Sequence, residues 1–363
     1  MFNPSRLTLA RERRGWTKLV LAEKTGLTAR SISNFENQLD FSPSDETLQL
    51  LAETLRFPVS FFLADTLDQP TSDTASFRAM KSMSAARQHS VLAMGAFGFA
   101  LDKWIDIQFE QPTADVPLMP SELPDVAALS LRHHWGLGEQ PIKNVLKLLE
   151  AKGIRIYSLG NQPREVSAYA LWHDGVPFVF LNYTKSAEHI RFALAHELAH
   201  LVLHRDIDPN DADARQIERE ADRFASAFLM PHRDILAHAM RTPSRATLIQ
   251  AKKRWGVSVT ALAYRLHQLE FITDWHYRNL CIEMSKKGDR THEPAGLPHE
   301  TSSRLEKVFS ALREDRISRA QIAENLHIFP SDLDELLFGL VPTVWQGEAS
   351  VSSPSRAHLR VVK

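Results

Sequence analysis

The sequence predicts a mainly α protein with a small β-sheet: an all-α helix-turn-helix domain, then an α+β domain, then a helical carboxy-terminal region. Three observations predict it. Short helical patterns separated by turn signals fill residues 1–65, and helical patterns return from Ala187 onward. β-rich runs are confined to one stretch, Ile154 to Leu181. Within residues 1–65, Thr17 and Thr28 stand as N-caps on either side of a Gly26-Leu27 turn, the signature of two short helices packed at an angle.

The bulk composition fits this division. A length of 363 residues implies two to three domains, and 44% hydrophobic with 24% charged residues is enough to bury real cores. Basic and acidic residues nearly cancel, 43 against 44, so no global field argues for nucleic acid and a DNA-binding case must rest on local motifs. The single cysteine, Cys281, excludes an intrachain disulfide framework and a cysteine-rich metal site. The start, MFNPSRLTLARERRGW, has charges where a signal peptide needs an apolar stretch. The longest apolar runs, such as Val91 to Ala100, fall short of the roughly 20 residues of a membrane span. A cytoplasmic protein without a membrane partner is expected.

Taken in order, residues 1–66 form the helix-turn-helix domain, with helices over Lys18–Thr25 and Ala29–Asn37. Residues 67–125 are a linker and helical connector: DQPTSDT over 68–74 is polar, and a helix runs from Ala75 to Phe109 with an apolar face through Val91, Phe97 and Trp104. Residues 126–272 form the α+β domain. It starts with helices near 125–135 and 142–152, the second closed by Gly153. Strands follow at Ile154–Ser158, Val166–Trp172 and Val176–Leu181, the last two joined by a His173-Asp174-Gly175 hairpin turn. Helices then occupy about 187–204, 213–230, 244–255 and 258–270. Residues 273–342 are a helical carboxy-terminal domain, and 343–363 a Ser-rich disordered tail.

The chemistry concentrates in FALAHELAHLVLH, 192–204. Residues four apart share one helix face, so the His196 and His200 imidazoles lie side by side. Two such nitrogens bind one Zn²⁺ at about 2.0–2.1 Å each. Glu197, adjacent to the pair, reaches a metal-bound water as general base without being a ligand. The helix is otherwise Leu and Ala, and burying three polar groups without partners would cost several kcal/mol. A catalytic zinc needs a third ligand. His204 is about 12 Å of helical rise from His196, too far to share the ion, and reads instead as a C-terminal cap. In the next helix, QIEREADRFASAFLMP, Glu218 and Asp222 share a face. Glu218 is the favoured ligand and Asp222 the group that orients a ligating histidine. Glu220 remains the rival ligand, against its reading as part of a solvated acidic face.

RFALAHELAHLVLH followed by IEREADRFASAFLMP resembles the ImmA/IrrE-type metallopeptidase family, over roughly residues 140–270. The resemblance implies a gluzincin-like domain with metal ligands His196, His200 and Glu218 and the base Glu197. It also implies a protein substrate, since members act as regulatory proteases that cleave a repressor or trigger its loss after stress.

In the amino-terminal domain, Leu21, Ala22, Leu27, Ile32 and Phe35 are spaced to pack the two helices together. That leaves Thr28 as cap and Ala29, Arg30, Ser33 and Asn34 facing outward at the second helix's start. Arg can pair with guanine and Asn with adenine, so this face suits the major groove of double-stranded DNA. Lys18, Arg11, Arg13 and Arg14 are candidates for phosphates. The pattern TxxxLAxxxGLTxxxISxFE resembles the Cro/repressor-type (xenobiotic-response-element) helix-turn-helix family, with Lys18 where glutamine is common and Gln38 where glycine often ends the second helix. In the carboxy-terminal region, Asp332, Asp334 and Glu335 would repel phosphate, which marks a folding or partner-binding element. The expectation is a DNA-associated regulatory zinc endopeptidase that binds an operator, as a homodimer or with a related module, and cuts a transcriptional repressor or related protein. The rival expectation is a transcriptional regulator whose second domain senses without turnover.

Overall fold

The computed structural model describes the chain except for residues 38–40, 72–83, 161–166, 206, 208–212, 239, 241, 290 and 342–363. The start of the helix expected from Ala75, Val166 at the start of the second expected strand, Gln38, and the tail lie outside the described residues. The described residues are mainly α with one small three-stranded sheet.

Four helices and a 3₁₀ turn build the amino-terminal domain: α1 (Pro4–Arg13), α2 (Lys18–Thr25), α3 (Ala29–Asn37), α4 (Asp45–Leu55) and Val59–Leu63. Asn3 and Thr17 cap α1 and α2 by accepting from Ser5 and Val20 amides, and Thr28 accepts from Ser31 at 3.0 Å. Gly26 ends α2 at φ +71°, a left-handed conformation that costs glycine little. Leu21, Ile32, Leu51 and Leu55 are buried between these helices. The link between α1 and α3 is polar: Arg11 donates from Nε and Nη2 to Glu36 at 2.6 and 3.0 Å, with both side chains below 10% exposure at 9% and 2%.

A long helix, α5 (Ala85–Gln108), joins this domain to the rest. Phe97 stacks with Phe57 at 5.8 Å, so the amino-terminal core continues into α5. The other side of α5 lies on the sheet, in which β1 (Arg155–Ser158) pairs parallel with β3 (Val176–Leu181), and β3 pairs antiparallel with β2 (Ala168–His173). A Cβ on Gly98 would fall 2.5 Å from the Phe180 ring, and one on Gly95 would fall 2.6 Å from the Tyr169 hydroxyl. Glycine at both positions permits this close approach. Phe178 and Phe180 face α5 through Phe99. Alternation turns Val179 and Leu181 to the opposite face, against which α8 (Ala187–Leu203) packs. Sandwiched between helices, β1 is buried along its whole length, and so are residues 168–171 of β2.

Around α8 lie α6 (Pro124–His134), α7 (Val145–Ala151) and α9 (Ala214–Leu229), followed by α10 (His232–Ala237), α11 (Arg245–Ala251), a 3₁₀ turn at Lys252–Arg254, and α12 (Val259–Gln268). The last four helices are α13 (Asp274–Lys286), α14 (Ser303–Glu314), α15 (Arg319–Asn325) and α16 (Pro330–Leu337). Helix α13 packs on α12, α14 on α7, and α16 on β1 and α5. Two polar clusters tie these helices down. Arg304 of α14 pairs with buried Asp102 of α5, which also accepts from Tyr157 at 2.7 Å and Arg155 at 3.2 Å. From α16, Glu335 pairs with Arg13, and Asp332 lies 3.7 Å from Arg14.

That second cluster corrects the expectation of three phosphate-holding arginines. Arg11 and Arg13 are buried at 7% and 6% exposure, Arg11 turned to the buried carboxylate of Glu36 and Arg13 to the half-exposed carboxylate of Glu335. Arg14 donates to the carbonyls of Leu55 and Arg56 at 2.7 and 2.8 Å. No helix among the described residues is long and apolar enough to cross a membrane.

Candidate metal centre

Helix α8 begins where Ser186 accepts from the His189 amide at 3.2 Å, and its apolar residues Leu194, Leu198 and Leu201 are buried against the sheet and neighbouring helices. Its remaining face carries His196 and His200, one turn apart, with Nε2 atoms 3.1 Å from each other. Helix α9 is strongly amphipathic. Ile217, Ala221, Phe224, Ala225 and Phe228 are buried, and the docking they impose brings Glu218 to the histidine pair. Glu218 Oε2 lies 3.5 Å from His196 Nε2, and Oε1 lies 3.7 Å from His200 Nε2.

These separations can be tested against the ion. Atoms bound tetrahedrally at zinc's usual distances of about 2.0–2.2 Å stand about 3.4 Å apart. The two histidine nitrogens stand 3.1 Å apart, and each has a different oxygen of the Glu218 carboxylate near it, Oε2 at 3.5 Å from His196 and Oε1 at 3.7 Å from His200. Two imidazoles and a carboxylate are also the donor set that zinc accepts, so the residues fit the metal in both chemistry and spacing. Among the described residues, His196, His200 and Glu218 form the one group of three or more His, Cys, Asp or Glu able to hold an ion together.

Each imidazole is also held from behind. Asp222 Oδ1 is 2.9 Å from His196 Nδ1. His200 Nδ1 is 3.0 Å from His204 Nδ1, and His204 Nε2 is 3.3 Å from Glu220 Oε2. Thus Glu218 meets the histidine pair, whereas Glu220, its rival as ligand, meets His204. His204 is the C-cap residue of α8, its amide donating to the His200 carbonyl at 3.1 Å, but its ring has this further role beside His200. Sequence reasoning missed that ring, although its four-residue spacing from His200 signals it.

The two facing imidazoles diverge in basicity. Burial pushes the His196 pKa down, but Asp222, Glu218 and Glu197 outweigh it and raise the value to about 10. Burial holds His200 well below the usual histidine value, and its two histidine neighbours add to the effect. Glu197, between the pair in sequence, is buried at 4% exposure.

A cavity of about 970 Å³ begins one turn from this cluster. Phe192 and His189 of α8, Ser226 of α9, Tyr264 of α12, and Tyr277 and Cys281 of α13 line it. Phe192 precedes His196 by one turn and Ser226 follows Asp222 by one turn, so the helices that carry the cluster also form the cavity wall.

On the amino-terminal domain, Arg30 and Thr28 are exposed at the start of α3, and Asn34 is half-buried. Ser33 is also half-buried, bonded to Asn37 at 3.1 Å with Lys18 at 3.5 Å. Ala29, expected to face outward, is half-buried and packs on the core. The Lys18 ammonium lies 3.4 Å from the carboxylate of Glu36.

Comparison with known proteins agrees with this two-part organisation. Residues 149–267 match the IrrE N-terminal-like domain family, and residues 7–62 match the helix-turn-helix family. No curated protein matches the sequence. Among solved structures, a Mycobacterium tuberculosis transcriptional regulator is similar at 19% identity with a TM-score of 0.30, over 47% of this chain and 51% of that one. The chain thus spans about half the length of that structure.

Proposed function

We propose that this chain, a helix-turn-helix domain joined to an IrrE N-terminal-like domain, is a DNA-binding regulator whose second domain is a zinc endopeptidase acting on a protein target, a transcriptional repressor or a relative of one. The observation that carries the reading is the convergence of His196 Nε2, His200 Nε2 and the Glu218 carboxylate at separations suited to one tetrahedral ion. When bound there, zinc supplies Lewis-acid polarisation of the scissile carbonyl and lowers the pKa of water towards about 7.

The chain's own groups do the rest. Glu197 takes the proton of the attacking water and returns it to the leaving amine, a role worth about 10²–10⁴ in rate. Asp222 accepts from His196 Nδ1 and so orients the opposite nitrogen, Nε2, towards the metal position. The adjoining cavity, with Phe192, Tyr264 and Tyr277 in its wall, is large enough to hold side chains of an extended peptide. Arg30 and Asn34 present base-reading groups at the start of α3, where a helix-turn-helix meets the major groove.

The burial of Glu197 at 4% exposure favours a second reading, in which the domain binds metal as a sensor without turnover. Glu197→Gln separates the two. It should leave one zinc per chain by elemental analysis while lowering cleavage of the repressor target by about 10²–10⁴. Regulation in cells that survives this substitution unchanged defeats the peptidase reading.

A further inference from the structure

We propose that His204 and Glu220 position the His200 imidazole for metal, by deciding which of its nitrogens carries the proton. The inference rests on reading His196, His200 and Glu218 as a metal centre. His200 turns Nε2 towards His196 and Glu218, at 3.1 and 3.7 Å. A nitrogen that binds metal needs its lone pair free, so the proton of His200 belongs on Nδ1. Behind Nδ1, at 3.0 Å, is a second ring nitrogen, His204 Nδ1. Two ring nitrogens at that distance share one proton, so His204 Nδ1 must accept and carry none.

Neutral His204 then holds its own proton on Nε2. That atom lies 3.3 Å from Glu220 Oε2, a group that can only accept when ionised. Gln216 fixes the carboxylate in turn, donating from Nε2 to Glu220 Oε1 at 2.6 Å. The proton count closes in one direction only. With the proton of His204 on Nδ1 instead, a bare Nε2 would face a carboxylate, and His200 would present an N–H towards Glu218. Glu220 therefore selects the tautomer of His204, and His204 selects that of His200. His204 and Glu220 are positioning residues: neither belongs to the three-residue cluster. The arrangement also gives the two metal-facing imidazoles unlike supports, since His196 meets Asp222 directly.

The test measures zinc affinity of the full-length protein by chelator competition, beside proton–nitrogen correlation spectra of the histidine rings in the zinc-loaded state. H204F keeps the ring's shape but removes its acceptor, and should weaken zinc binding about 10–100-fold. H204N places an oxygen where Nδ1 stood and should recover most of that loss. E220Q should fall between them, within about tenfold of wild type. In the wild type, the spectra should show His204 protonated on Nε2 and His200 on Nδ1. A folded H204F that binds zinc as tightly as wild type overturns the proposal, as does a His204 ring protonated on Nδ1. Should H204F fail to fold, E220L, which leaves no acceptor beside His204 Nε2, should weaken zinc binding, and undiminished zinc affinity in it overturns the proposal equally. A wild-type protein that takes up no zinc removes the metal reading itself, a failure distinct from zinc retained equally by every variant.

Discussion

Replacing Glu36 with alanine strikes the contact that holds α3 against α1. Glu36 accepts from Arg11 at 2.6 and 3.0 Å, and Lys18 adds a second cation at 3.4 Å. With side chains exposed by 9% and 2%, the Arg11–Glu36 pair is out of reach of bulk water. Removing one partner of a buried pair costs about 3–5 kcal/mol, because the other charge is left uncompensated. Arg11 would keep the Trp16 carbonyl at 2.8 Å and Glu12 at 3.7 Å, which places the loss at the lower end, about 3 kcal/mol. An equilibrium moves tenfold for each 1.4 kcal/mol or so, making this about a hundredfold change. Hydrogen exchange on the intact protein reads it directly. Amides of α1 and α3 that exchange through opening of this domain should do so about 100 times faster in Glu36→Ala. Those of α8 and α9 should keep their wild-type rates. If the α3 amides stay within about threefold of wild type, the pair contributes little and the reasoning about α3 is wrong.

Arg30→Ala should weaken operator binding by about 1–3 kcal/mol and relax preference at one base pair. Unaltered promoter occupancy in cells would take Arg30 out of the interface. Elemental analysis should give one equivalent of zinc in the wild type and none in His196→Ala, and zinc retained at full occupancy in the variant would assign the metal elsewhere. Asp234 accepts two bonds from Arg254, at 2.9 and 2.6 Å, and one from Trp255 at 2.7 Å. The Arg254 bonds, helped by Trp255 and opposed by burial, hold its carboxyl below the usual range. A depressed folded value stabilises the protein above the unfolded pKa of about 3.9, and that stability is lost as pH falls through the folded value. Asp234→Asn should therefore melt lower at neutral pH and lose less on acidification below about pH 4; a melting curve with wild-type acid slope would contradict this.

What can be read from sequence depends on the range of each interaction. The hairpin at Asp174-Gly175 is legible because its two residues sit at φ 47° and 77°, a conformation that selects residue type locally. The side-by-side histidines of α8 are legible for the same reason, since helical geometry alone sets their spacing. Arg13 and Glu335 are 322 positions apart, and Arg304 and Asp102 are 202 apart. Nothing local to either partner announces such pairs. A cluster of arginines at 11–14 reads the same whether its charges face phosphate or an internal carboxylate. Helix α5 shows the matching limit for apolar residues: all of 90–99 is buried, because one side meets the amino-terminal core and the other the sheet. An amphipathic stripe through Val91, Phe97 and Trp104 gives half of that answer.

The arginine correction also changes how DNA recognition would work. Residues 1–65 hold eight basic and eight acidic side chains. Arg6, Arg11 and Arg13 are buried, and Arg14 is occupied by backbone carbonyls and Asp332. Of the remaining four, Lys18 lies beside Glu36 and Lys24 sits over the Trp16 ring, leaving Arg30 and Arg56 as the least engaged cations. Each phosphate neutralised steepens the salt dependence of binding by about 0.9 in log–log slope. Four available cations limit this domain to a slope of about −4, shallow beside the many-phosphate contacts of strong non-specific binders. Attraction to arbitrary DNA is then weak, and affinity for an operator must come from base edges read at the start of α3. Under the proposed function, in which the regulator also meets a protein target, the amino-terminal domain would hold the chain at a chosen sequence without trapping it on bulk DNA.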